Sequence, residues 1–430
     1  MTTPSRSTSQ SMDAHEVLTV SGDRLLETLT GFATYGATPA GGLNRLALSD
    51  ADTWARDELC EQSRLAGYQV RVDAVGNIFI TRPGLDHGST VLMGSHLDSQ
   101  PFGGRFDGTY GVLAGLEVLR ALDDAAVTTA RDITLVDWTN EEGARFSPSV
   151  LGSSVFAGVM PLAQALARTD AEGKTLGDEL ERAGYAGDFD STELSIHQAF
   201  EAHIEQGPVL EETGTDIGVV TGIQGLRWFD ITVRGESRHA GTTPRNRRKD
   251  ALAGAAQIID WTDRLPDLIN DAAIRATIGE LRVHPNSRNV IPGATELFAD
   301  FRHPEAATLE RVARLLEAQA DRVRVERGLS VELEQVLDVA PTRFPEEVVG
   351  RVRAATESLG LSHRDIASGA GHDSMNIARL APTGMLFIPC VNGLSHTEAE
   401  DIRPQWAING ANVLLNAVLA SANEPEASDE

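Results

Sequence analysis

GSHLDSQPFGGRFDG, residues 94–108, follows the apolar run Val91–Met93 and decides how the chain is read. The run reads as a short buried strand, and the glycines after it let the chain turn while presenting His96, Asp98 and Asp107 from one loop. Neutral imidazole nitrogens and ionised carboxylate oxygens gathered at a strand end are what a divalent cation needs. A polar turn or a helix cap uses the same residue types, so this loop alone leaves both roles open.

Further donors recur in the same setting. In ITLVDWTNEEGARF (133–146), Ile133–Trp138 reads as a buried strand that ends at Asn140, Glu141 and Glu142. Adjacent carboxylates there suit a division of labour, one binding a cation and the other moving a proton; a solvated acidic turn is the plainer role. AFEAHIEQGPVLEETG (199–214) holds His203, and in MLFIPCVNGLSHTEAED (385–401) a strand from Met385 to Pro389 leads to His396. Together His96, Asp107, Glu142, His203 and His396 make the mixture of imidazoles and carboxylates that a pair of divalent first-row ions requires.

The order HLDS, GGRFDGTYGVLAGLEVLRAL, NEEGARF, EAHIEQGPVLE, NVIPG, GAGHDSMN and NGLSH closely resembles the amidohydrolase branch of the M20 metallopeptidase family. That branch holds the N-carbamoyl-L-amino-acid hydrolases, allantoate amidohydrolases and beta-ureidopropionases. The resemblance spans roughly residues 20 to 420, and several spaced motifs in order are far more specific than one. It implies that Asp107 bridges two divalent ions (Mn²⁺, Zn²⁺, Co²⁺ or Ni²⁺), with His96 and His203 completing one site and Glu142 and His396 the other. Glu141 is then the general base, and the Asp98 carboxylate bonds the His96 imidazole and fixes its tautomer. His239 stabilises an oxyanion from a lid. Gln206, Asn289, Arg302, Gly369, Gly371 and His372 contact substrate, with Arg302 clasping a carboxylate through two parallel hydrogen bonds.

The implied reaction is cleavage of the ureido C–N bond of an N-carbamoyl-L-amino acid to the amino acid, ammonia and CO2. Allantoate and 3-ureidopropionate carry the same two ends and stay open as substrates. Aminopeptidase action is a distant third, and a metal-free binding protein on the same fold is the non-enzymatic alternative.

Placement of the motifs gives the organisation. Ligand candidates occur before about residue 210 and again at His396, whereas WFDITVRG (228–235), the helix expected from about Asp250, and the alternating Ala294–Arg302 contain none. The expected fold class is α/β: a metallopeptidase-like catalytic domain with a central mixed sheet and helices on both faces, formed by 1–220 and 337–430. An inserted α+β lid and dimerisation domain, 221–336, interrupts it. A helix is expected over Ala114–Leu122, between the strands at Val91 and Ile133.

Composition limits partners and location. With 430 residues and 41% hydrophobic content there is room for two real cores. A net charge of −26 argues against nucleic acid, and Arg245–Lys249 (RNRRK) is too short to reverse that. The chain has two lysines, Lys174 and Lys249, a bias that genomic GC content or adaptation to salt would each produce. Cys60 and Cys390 form no disulfide framework. Cys390 as a nucleophile is rejected because the metal ligands already account for the chemistry. MTTPSRSTSQSMDAHE lacks a signal-peptide core, and no apolar run approaches the roughly 20 residues of a membrane span. A soluble, cytoplasmic homodimer acting on a small ureido carboxylate is expected, with 1–15 and the tail SANEPEASDE (421–430) disordered.

Overall fold

The computed structural model describes residues 17–425, which fold into two compact units. The first comprises the chain up to Thr221 with Phe344–Ile366 and His372 onward; the second comprises Gly222–Arg343 with Ala367–Gly371.

In the first unit the apolar runs are strands of one mixed sheet. Its order is Gln69–Val72, Ile78–Arg82, Arg131–Asp137, Asp86–Ser95, Ile196–Ile204, Thr383–Ile388 and Ile217–Ile223. Asp86–Ser95 runs parallel to Arg131–Asp137 and to Ile196–Ile204, which runs parallel to Thr383–Ile388. Four central strands therefore finish at the same edge, and the segments that follow them carry the polar chemistry, as parallel sheets commonly arrange it.

Alternation along these strands explains helices on both faces. Met93 and Leu135 face the helix Thr109–Asp124, where Gly115 permits close approach: a Cβ there would lie 2.6 Å from Leu135 Cδ1. Leu92 and Val136 point the other way, into a cluster with Phe79, Trp138, Phe156 and Ile377. The helix expected from Ala114 starts at Thr109, and most of its side chains are buried.

The second unit is α+β. Ser330–Val339, Gly225–Arg234, Ala294–His303 and Arg275–His284 form an antiparallel sheet in that order. Phe229, Ile231, Val233, Leu297, Ala299 and Phe301 project into a core closed by Ala251–Asp263 and Ala306–Arg327. Asp250 caps the first of these helices, its carboxylate accepting from the Ala253 N–H.

Two boundaries differ from expectation. Residue 336 falls inside the strand Ser330–Val339, which pairs with Gly225–Arg234, and the unit ends at Arg343; 367–371 also belongs to it. The tail is ordered further than its composition suggests: the helix Pro404–Ala422 takes in Ser421 and Ala422, and Glu424 pairs with His197 and Arg351. The rest of the tail and residues 1–15 lie outside the described residues. Among the described residues no helix is long and apolar enough to cross a membrane.

Candidate metal centre

The segment after Ser95 brings His96 to the sheet edge, where Gly108 closes the loop in a left-handed conformation (φ +62°). A Cβ on Gly108 would lie 2.3 Å from the His96 ring, so any other residue would push the imidazole away. His203 stands near the end of the neighbouring strand Ile196–Ile204, its ring centroid 6.0 Å from that of His96.

Asp107 joins two clusters. Its Oδ1 lies 3.2 Å from His203 Nε2 and 3.7 Å from His96 Nε2; its Oδ2 lies 3.2 Å from His396 Nε2. Glu142 Oε2 is 3.4 Å from the same His396 nitrogen. His96, Asp107 and His203 thus form one group, and Asp107, Glu142 and His396 a second, each with ligand atoms within 4.8 Å of one another. The donor set fits divalent first-row ions, since each group mixes imidazole nitrogen with carboxylate oxygen and one carboxylate can serve both.

Hydrogen bonds orient these rings. His203 Nδ1 faces the Ile204 carbonyl at 2.9 Å, which assigns the proton to Nδ1 and turns the Nε2 lone pair towards Asp107. His96 Nδ1 faces the Asp98 main-chain carbonyl at 2.9 Å, whereas the Asp98 carboxylate stands 3.7 Å away. The expected carboxylate–imidazole bond is therefore replaced by one to the backbone. The carboxylate instead accepts the N–H groups of Glu141 and Glu142 at 3.0 and 3.3 Å, and so ties the His96 loop to the acidic turn.

Three residues of the centre have left-handed backbone. Asn140, Gln206 and His396 adopt φ of 56°, 55° and 54°, a conformation that Asn tolerates readily and that is less common for Gln.

Burial and charge set the proton affinities. Asp107 is buried, yet hydrogen bonds to His203 and His396 override burial and hold its carboxyl well below the usual range. Burial lowers His96 to about 4. For His203 burial opposes the charge, but the Asp107 carboxylate carries it up to about 9; the same carboxylate is the main cause for His396, also about 9. Burial, then the charges of Asp373 and Glu142, push Glu141 well above the carboxylate range, and burial with Asp107 brings Glu142 to about 7.

Of the other expected residues, Gln206 lies on the centre, its Nε2 donating to Asp107 Oδ2 at 2.8 Å. His372 is buried against His203, ring centroids 4.6 Å apart. His239, Asn289, Arg302, Gly369 and Gly371 belong to the second unit. His239 Nδ1 accepts the Gly241 and Thr242 N–H groups, which leaves Nε2 to carry the proton. Arg302 differs from a free carboxylate clasp: Nε and Nη2 already bond Asp300 at 2.8–3.1 Å, and Nη1 donates to the Gly369 carbonyl at 3.1 Å. Cys390 is buried, and burial lifts its thiol to about 12, far from a nucleophile's range.

Sequence reasoning missed several residues that shape the centre. Glu400 Oε1 accepts the N–H groups of Phe106 and Asp107 at 2.9 and 3.1 Å, and its position four residues after His396 was a signal. Asp137, at the end of its strand, accepts the Leu97 N–H at 2.9 Å. Arg45 and Arg56 are buried around the same loop, and nothing in their sequence setting marks them.

An α/β sheet whose parallel strands finish at paired imidazole–carboxylate clusters, interrupted by an α+β unit, is the architecture of a hydrolase with a candidate metal centre. A model of peptidase family M20/M25/M40 matches residues 92–420. The chain is 44% identical over 407 residues to N-carbamoyl-L-amino-acid amidohydrolase of Rhizobium meliloti, covering 94% of this chain and 97% of that one. It is 34% identical over 377 residues to allantoate amidohydrolase of Bacillus subtilis, covering 86% and 90%. The crystal structure of an amidase of the hydantoinase/carbamoylase family from Burkholderia multivorans has a TM-score of 0.92 at 49% identity, covering 95% of this chain and all of that one. The chain belongs to peptidase family M20/M25/M40.

Proposed function

We propose that the chain is a binuclear metal-dependent amidohydrolase that removes the carbamoyl group of N-carbamoyl-L-amino acids, releasing the amino acid, ammonia and CO2. The observation that carries this is Asp107, whose two carboxylate oxygens face two separate histidine-containing clusters beside Glu141. The substrate comes from the Rhizobium relative, similar over nearly the full length of both chains. Allantoate is the second substrate, supported by the Bacillus relative.

His96 and His203 would hold one cation with Asp107, and Glu142 and His396 the other. When bound, the pair supplies Lewis acidity towards a ureido carbonyl and a lowered pKa for water. Glu141, with Oε2 3.6 Å from His96 Nε2, takes a proton from water and passes it to the departing nitrogen. His239 donates through Nε2 to the developing oxyanion. Asn289 and Arg302 take the substrate carboxylate, Arg302 through the N–H groups of Nη1 and Nη2 that Gly369 and Asp300 leave open. Gln206 contacts the substrate, and Gly369, Gly371 and His372 line the ureido end. The protein acts in the cytoplasm as a homodimer through its second unit.

Ammonia release tests the substrate, using protein reloaded with Mn²⁺ or Zn²⁺ and a panel of N-carbamoyl-L-amino acids, their D forms, 3-ureidopropionate and allantoate. Preference for the L-carbamoyl group supports the proposal, and preference for allantoate replaces it with the second reading. Inactivity towards the whole panel refutes both.

A further inference from the structure

One fully buried arginine links the two segments that carry the first cluster. Arg45 Nε donates to the Leu97 carbonyl at 2.6 Å, one residue after His96. Its Nη2 donates to Thr109 Oγ1 at 2.5 Å, and the Thr109 N–H donates to the Asp107 carbonyl at 2.6 Å. Nη1 is spent on the Phe32 carbonyl at 2.9 Å, and the Arg45 main chain exchanges bonds with Ser99. The main chain of Leu97 is thus held at both its polar groups, its carbonyl by Arg45 and its N–H by Asp137.

This arrangement is expensive. Among the described residues Arg45 makes no ion pair; its cation bonds only carbonyls and a hydroxyl, and burial draws its pKa below the ordinary value. The charges of Asp52, Asp137 and Asp98 offset part of that cost without touching the guanidinium, and replacing a buried charge by an apolar side chain of similar volume is often neutral or stabilising, so stability alone does not call for an arginine here. What an apolar residue cannot do is hold two separate segments at a fixed spacing through a planar donor array.

We propose that Arg45 is a positioning residue that sets the separation of His96 from Asp107, so that the cation site formed by His96, Asp107 and His203 depends on it more than the site of Glu142 and His396, which shares only Asp107 with the first. The inference rests on reading the two clusters as cation sites. The second cluster has its own supports: Gln100 Nε2 donates to Glu142 Oε2 at 2.9 Å, and Ser395 and Gln206 both donate to Asp107 Oδ2. None of these residues bonds Arg45.

Apo protein titrated with Co²⁺ alone, by equilibrium dialysis and visible absorption, tests this. The wild type should take two ions per chain. Arg45→Met should bind one ion about 10- to 100-fold more weakly, the range found when groups supporting metal ligands are removed, and the other with a clearly smaller loss, because Asp107 serves both sites. The more weakened site should be the one that His96→Ala abolishes. Thr109→Val removes a single arm of the clamp and should weaken the same site less; it decides the matter if Arg45→Met does not fold. Wild-type affinities at both sites in the folded variants, or equal weakening of both, would overturn the role of Arg45. A wild type that fails to take two ions would instead overturn the two-cation reading, and the inference with it.

Discussion

Arg56→Met should destabilise the protein by an amount that grows with pH. Arg56 is 2% exposed; its Nε lies 3.2 Å from Asp52 Oδ2 and its Nη2 3.3 Å from Asp137 Oδ2, both carboxylates being buried. It also donates to the Gly76 carbonyl and to Thr139 Oγ1, each at 2.8 Å. Methionine roughly preserves the volume but leaves two carboxylates in the interior without their cation, and breaking a buried pair costs about 3–5 kcal/mol. The pH sign follows from Asp137. Burial raises its carboxyl from 3.8 to about 7 in the folded protein, with Arg56 opposing the rise. Between those values the native state binds more protons than the unfolded chain, so this group's contribution to stability falls as pH rises through that window. Without Arg56 the folded pKa goes higher and the loss continues above pH 7, whereas at pH 5 protonated carboxyls are tolerated. Urea unfolding of both proteins at several pH values should therefore give a destabilisation that shrinks on acidification. A penalty below about 1 kcal/mol, or one independent of pH, would refute the account of this buried cluster.

Glu141→Gln keeps the shape of the acidic turn but cannot accept a proton; metal content should be unchanged and kcat should fall by about 10²- to 10⁴-fold, so near-normal turnover would remove Glu141 as the base. Arg302→Ala should raise KM for carboxylate substrates by about 10- to 100-fold, the value of hydrogen bonds to a charged group, with a smaller effect on kcat; an unchanged KM would remove the clasp. Because Cys390 is buried with its thiol near 12 rather than 9, iodoacetamide at pH 8 should modify it about a thousandfold more slowly than an exposed cysteine, and Cys390→Ser should stay active. Rapid alkylation coupled to inactivation would reopen a cysteine mechanism.

The centre was legible where an apolar run ends in donors. Val91–Met93, Ile133–Trp138 and Met385–Pro389 lie largely within strands of the central sheet, and the His96, Asp107, Glu142, His203 and His396 that follow or end them meet in two groups. What escaped depends on three-dimensional hydrogen bonding. Whether Asp98 reaches the His96 ring through its side chain or its main chain is decided by a loop turn, and the freed carboxylate finds the Glu141 and Glu142 amides instead. Asp300 lies two residues before Arg302, hence on the same strand face, and this period-two signal passed unused. Arg45 and Arg56 resemble solvent-facing residues of a polar segment, and only the packed structure reveals them as interior. The end of the second unit was misjudged because Ser330–Val339 is an exposed edge strand with weak apolar alternation.

Removal and return of metal tests the central claim most directly. Protein stripped with chelator should not hydrolyse N-carbamoyl-L-amino acids, and activity should return as Mn²⁺ or Zn²⁺ is added up to two equivalents per chain. Full activity in protein shown by elemental analysis to be metal-free, or saturation of activity at one equivalent, would contradict it.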